Sequence, residues 1–143
     1  MELQITYMPM GSRPAVQKPD PEFLKVLGED GLRNLVSNQY DLLAKSDIKH
    51  LFPAEESLFL QAKKKSADFF VQICGGQPYY NENRGKPMLI DRHKPFRITE
   101  EGRLIWLKCY QQLLPELDLP EHLILNFWQY LNMFSIWMIN AHE

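Results

Sequence analysis

Apolar residues recur at a helical period from Leu32 to Met138, and this pattern constrains the fold more than any other feature of the chain. Leu32, Leu35, Val36, Tyr40 and Leu43 share one helix face, with the polar Gln39 interrupting the stripe. Leu58, Ala62, Ser66, Phe69, Phe70 and Ile73 mark a longer helix running to Cys74. Gly75-Gly76 ends it, because glycine tolerates the left-handed backbone that a helix end often requires. A third stripe holds Arg103, Trp106, Leu107, Tyr110 and Leu114, then stops at Pro115. The fourth, with Leu123, Ile124, Phe127, Trp128, Leu131, Phe134 and Met138, is apolar nearly all round. Such a helix is buried or pairs with another chain. No strand-like alternation competes beyond the first twenty residues, so the expected fold is all-α.

Breaker residues divide the chain further. Pro9, Pro14, Pro19 and Pro21, with Gly11 and Ser12, exclude a stable helix near the start. Residues 1–22 therefore read as an arm, extended on the surface or partly mobile, with a short extended piece around Leu3, Ile5, Tyr7 and Met8. Residues 23–143 read as one folded domain. A short helix is expected from Pro21 to Leu27, ended by Gly28. Ser46-Asp47 opens a helical turn through Leu51, and Phe52-Pro53 redirects the chain. Residues 77–87 read as a loop. Met88-Leu89-Ile90 begins a short turn that carries His93 and is cut off by Pro95. Thr99 is a good N-cap for the next helix, with Glu100 and Glu101 in its first turn.

A net charge of -2 argues against nucleic acid as a partner. No apolar run reaches the ~18 residues that a membrane span needs. Met1-Glu2-Leu3-Gln4 lacks the start of a signal peptide. Cys74 and Cys109 lie far apart inside apolar patterns and read as buried free thiols. Together these features predict a cytoplasmic protein.

The candidate chemistry gathers around Arg92-His93-Lys94-Pro95-Phe96-Arg97-Ile98. Of four histidines, His50, His122 and His142 have polar or terminal surroundings, whereas Leu89, Ile90, Phe96 and Ile98 frame His93. One histidine cannot build a zinc site, which wants about four ligands. It can ligate haem iron, because the porphyrin supplies the equatorial nitrogens. Tyr40 would carry its hydroxyl inward, and its plainest reading is a core tyrosine bonded to a carbonyl. Ala62 and Ser66 are small residues in a bulky stripe, where a neighbouring helix or a flat ligand can approach closely. Lys65, beside Ser66, belongs to a lysine run that is ordinarily a solvated face and could also meet an anion there.

The run Gly75-Gly76-Gln77-Pro78-Tyr79-Tyr80, then Arg84-Gly85-Lys86-Pro87-Met88, Arg92 to Ile98 and Trp106-Leu107, resembles a truncated haemoglobin of the second group. Leu27 to Val36, Tyr40 and Phe52-Pro53 fit as well, so the resemblance covers about residues 23–140. It implies a two-over-two helical sandwich around haem b. It makes His93 the proximal iron ligand and Tyr40 the distal tyrosine. Trp106 becomes a second distal donor, with Ser66 beside them as a candidate catalytic residue. Phe52 matches the aromatic over the haem, Ala62 and Ser66 the distal positions of the long helix, and Lys65 and Arg92, with Tyr80, the propionate partners. Phe69, Phe70, Met88, Phe96, Ile98 and Tyr110 complete the expected haem contacts. The implied ligands are O2, CO and NO, with a reductase for the iron and a monomeric or homodimeric state. Two or more donors in a dry pocket retain O2 and suit reaction with NO or peroxide better than delivery. The alternative is a haem-free or haem-sensing globin-like interaction module, motivated by the apolar last helix, where a dimer face would account for Trp128 and Trp137.

Overall fold

The local rules that end and begin helices account for the architecture. A computed structural model describes residues 1–143. It has seven α-helices: α1 Pro21–Leu27, α2 Glu29–Leu43, α3 Glu56–Ile73, α4 Tyr79–Arg84, α5 Leu89–His93, α6 Glu100–Leu113 and α7 Glu121–Ile136. Single 3-10 turns at Lys49–Leu51 and Leu114–Glu116 complete it. Pro21 occupies the first turn of α1, where its missing N–H costs nothing, and the Asp20 carboxylate caps that turn by accepting from the Glu22 amide. Glu55 caps α3, accepting from the amides of Ser57 and Leu58 at 2.9 and 3.3 Å. Thr99 caps α6, its hydroxyl accepting from Gly102 N–H at 3.0 Å. Gly75 closes α3 at φ 93°, the left-handed region open to glycine. A side chain at Gly76 would collide with Val71 and Leu24. Two expectations need correction. The segment 77–87 is not all loop, because Tyr79–Arg84 forms α4. Leu58 is 50% exposed at the start of α3, one turn before the stripe becomes buried.

α2 packs on α3 and α6, α6 packs on α7, and α1 bridges α2 to α7. The result is a sandwich of two helix pairs, the two-over-two arrangement that the resemblance implies. Aromatic contacts join the layers: Phe23 stacks on Phe127 at 4.3 Å, and Phe70 meets Phe127 at 5.8 Å. Asp68 ties α3 to α2. Its carboxylate, 5% exposed, accepts from Arg33 and Lys64 at 2.8 Å each. Burial disfavours its charged form, but the two donors outweigh that and hold its pKa below the ordinary value. Its stabilising contribution is therefore present at neutral pH and lost as pH falls through that lowered value. Asp68→Asn should cost about 1–3 kcal/mol at pH 7. The deficit against wild type in urea melts should shrink at pH 3; a deficit constant with pH would show that the charge is irrelevant.

Residues 1–20 contain no helix but are bound along α6 and α7. Asn126 Oδ1 accepts from Asp20 N–H, and Asn132 both accepts from Thr6 N–H and donates to the Thr6 hydroxyl. Gln111 donates to the Leu3 carbonyl, Trp128 to that of Gln4 and Trp137 to that of Pro14. Arg103, 3% exposed, donates to the Thr6 carbonyl, the Ser135 hydroxyl and both oxygens of Asn132. A segment whose prolines exclude helix thus has its backbone acceptors met by side chains of the apolar last pair. The chain's own arm covers Trp128 and Trp137. Removing residues 1–16 should cost ~3 kcal/mol or more, since several buried donors lose acceptors. The thermal midpoint should fall by roughly 10 °C; an unchanged midpoint would reduce the arm to decoration.

Candidate functional site

A cavity of about 380 Å³ opens among α2, the corner at Ile48–Pro53, α3, α5, α6 and α7. Its wall is mostly apolar, so hydrogen bonds made inside it are stronger than in water. On the α5 side the wall is built around His93. α5 is little more than one turn, and the Leu89 carbonyl lies 2.6 Å from His93 Nδ1. A carbonyl can only accept, so Nδ1 carries the proton and donates. Nε2 is left with the lone pair that can bind a metal. Asn140 fixes the turn that follows, donating to the Phe96 carbonyl at 2.9 Å while its Oδ1 accepts from Ile98 N–H.

Arg92, next to it, lies over the Tyr80 ring at 5.4 Å and donates to the Arg84 carbonyl at 2.9 Å. Its Nε is buried and has no partner. A buried guanidinium N–H is costly unpaired, and a carboxylate is the acceptor it fits best. Lys65 reaches the cavity from α3 with its side chain exposed and no carboxylate against it. Lys65 and Arg92 thus line the cavity with no carboxylate paired to them.

Tyr40 of α2 meets Phe52 edge-on at 5.4 Å and Phe59 at 5.8 Å. Burial raises its pKa above the ordinary tyrosine value, and a hydrogen bond with Ser66 works the other way. The phenol therefore stays protonated at neutral pH. Tyr40 and Ser66 both line the cavity, and the protonated phenol has an O–H that it can donate to a group held there. Trp106 of α6 packs edge-on against Tyr110 at 5.0 Å and Phe134 at 6.0 Å. Its backbone carbonyl accepts from Gln39 Nε2 at 2.9 Å. That bond joins the helix carrying Trp106 to the helix carrying Tyr40.

Residues 23–140 match the family model described as bacterial-like globin. The chain belongs to that family. Among relatives, group 2 truncated hemoglobin YjbI of Bacillus subtilis (strain 168) is 31% identical over 120 residues, 83% of this chain and 89% of that protein. Two-on-two hemoglobin-3 of Arabidopsis thaliana is 29% identical over 94 residues, 62% of this chain and 54% of that protein. In structure, the globin superposes on phosphate-bound Hell's gate globin IV with a TM-score of 0.88 at 37% identity, covering 98% of this chain and 88% of that one. The truncated oxygen-avid haemoglobin from Bacillus subtilis gives 0.76 at 30% identity, covering 82% and 98%. The Bacillus subtilis relative places the chain among the group 2 truncated haemoglobins, and the family implies a haem cofactor.

This globin's cavity brings together Tyr40, Phe52, Ala62, Lys65, Ser66, Phe69, Phe70, Tyr80, Arg92, His93, Phe96, Ile98, Trp106 and Tyr110, all named from the sequence. Met88 is the exception. It caps α5, is 58% exposed and does not reach the cavity. The cavity also takes Ile48, Leu51, Leu89, Phe134 and Met138, apolar residues that no motif distinguishes from core. Arg103 and Ser135 line it too; a lone arginine inside an apolar stripe was the available signal. Gln39 is fully buried, so it belongs to the stripe it had seemed to break. The residues fit haem on two observations: a histidine with its metal-binding nitrogen free, and a buried arginine nitrogen lacking the acceptor that a propionate would provide.

Proposed function

We propose that this globin binds haem b through His93 Nε2 and holds O2, CO or NO within reach of Tyr40 and Trp106. Haem supplies the iron that takes the diatomic ligand and exchanges electrons. The chain's residues do the rest. Leu89 orients the His93 ring through Nδ1. Arg92 and Lys65 receive the propionates, with Tyr80 stacked under Arg92. Phe52, Phe69, Phe70, Phe96, Ile98 and Tyr110 give the macrocycle an apolar wall that keeps water out. Tyr40 and Trp106 offer O–H and N–H donors to a ligand that gains negative charge, with Ser66 beside them on the cavity wall. Ala62 leaves that side open. Slow release favours reaction with NO or peroxide over O2 delivery, and oxidised iron then needs a reductase. Two free cysteines accord with a reducing, cytoplasmic setting.

The single observation that carries the reading is the fixed tautomer of His93 at the wall of this cavity. Titration of the purified protein with haemin, followed by reduction and CO, tests it. The expected result is saturation at one haem per chain, a sharp Soret band and a clean shift with CO. Absence of saturable binding would discard the mechanism and leave a helical binding module.

A further inference from the structure

Charge is unevenly spread over this globin. Arg84 to Arg97 holds five basic residues (Arg84, Lys86, Arg92, Lys94 and Arg97) and one acid, Asp91, for a net +4. The whole chain has 16 basic and 18 acidic residues, so the remainder carries 11 and 17, a net -6. The segment is held as one surface, because the Arg92 guanidinium donates to the carbonyls of Arg84 and Lys86. Arg92 faces the cavity and Lys94 pairs with Asp91 at 3.0 Å. Arg84, Lys86 and Arg97 are exposed and form no ion pair, although Arg97 donates to the His142 carbonyl. In sequence the run is flanked by Glu82 and Glu100, and the C-terminal Glu143 lies against the Glu101 amide. Two apolar side chains stand out within this basic patch, Met88 at 58% and Phe96 at 44% exposure. Phe96 also lines the cavity, so the patch forms the outer side of the wall that carries His93.

We infer that this face, Arg84, Lys86 and Arg97 around Met88 and Phe96, docks an acidic one-electron carrier protein. The inference rests on the haem reading and names the partner class that reading requires. Complementary charge raises the encounter rate and orients the approach, while a small apolar centre supplies desolvated contact. The overall charge of -2 would repel an acidic carrier, so approach is favoured only where the local sign is reversed. With haem bound, one electron would leave the reduced carrier, oxidising it by one electron, and would reduce the iron from ferric to ferrous. No bond forms or breaks in the protein.

The test uses the haem-loaded full chain and an FMN-bound flavodoxin as the acidic probe, with binding followed by calorimetry at low and high salt. Duplex DNA and vesicles containing phosphatidylglycerol serve as competing anionic surfaces. Arg84→Glu with Lys86→Glu reverses two patch charges and leaves the backbone carbonyls that hold Arg92 in place. Lys25→Glu with Lys45→Glu makes the same net change elsewhere. The expected result is salt-sensitive flavodoxin binding that the patch variant weakens about tenfold or more and the control variant leaves within about twofold. Equal weakening by both variants, no flavodoxin binding at low salt, or tighter binding to DNA or vesicles overturns the inference. If haem is present and flavodoxin does not bind, only this inference fails. If no Soret band forms, the haem reading fails and this inference with it.

Discussion

His93→Ala should purify without haem and fail to take it up stoichiometrically from added haemin. The side chain's only hydrogen bond is the one from Nδ1 to the Leu89 carbonyl, within its own turn, and the residue is half-buried at the cavity wall. Its removal therefore leaves the packed core of α2, α3, α6 and α7 intact. The loss falls on the metal bond. Altering a group that merely orients a metal-bound histidine already costs about 10–100-fold in affinity. Losing the ligand itself should exceed that, weakening haem retention by at least about hundredfold. Residual affinity would come from the apolar wall and from Arg92 and Lys65. The absorption spectrum after a desalting step reads the outcome, and added imidazole should restore a histidine-type spectrum if the vacated space accepts it. A variant that keeps a five-coordinate histidine spectrum without imidazole would remove His93 from the role of iron ligand. Circular dichroism at the same time separates loss of haem from loss of fold.

The helices were legible because their ends are set locally. Pro21, Gly28, Gly75 and Thr99 each act within one turn, and the apolar spacing of α2, α3, α6 and α7 survives any tertiary context. α4 was not legible. Pro78, Gly85 and Pro87 flank it so closely that the segment reads as loop, yet Tyr80 buries its ring against Phe69 at 5.9 Å and tertiary packing holds the helix. The arm was half legible: its prolines exclude helix, but nothing local announces that Arg103, Asn132 and Trp128 would bind its backbone. Those bonds span about a hundred residues of sequence and follow no spacing rule. Within the site, the residues found from sequence carry chemistry that motif and resemblance could flag. The missed ones contribute shape, as Phe134 and Met138 do, or support, as Gln39 and Asn140 do. Support of that kind depends on which helices meet, so it becomes visible only in the folded chain. Met88 went the other way. Its place beside the motif suggested contact, but as the cap of α5 it turns outward.

Tyr40→Phe should accelerate O2 release about ten- to hundredfold. The exchange removes one oxygen and keeps the ring, so the edge-on contacts with Phe52 and Phe59 persist and stability should change little. A hydrogen bond to a partly charged acceptor in a dry pocket is worth about 1–3 kcal/mol, and each 1.4 kcal/mol is about tenfold in rate. Stopped-flow displacement of O2 by CO measures it. CO gains far less charge than O2, so its own release should change much less, which separates loss of a donor from a widened pocket. Trp106→Phe removes the second donor, and because both groups would face one ligand their effects should not add. Burial keeps the Tyr40 proton in place above the ordinary tyrosine range. The wild-type O2 off-rate should therefore stay flat from pH 6 to pH 9; an off-rate rising across that window would mean that Tyr40 loses its proton there. An unchanged off-rate in Tyr40→Phe together with a fast one in Trp106→Phe would move the main donor to the indole. That outcome would mean that the Tyr40 proton points away from the ligand.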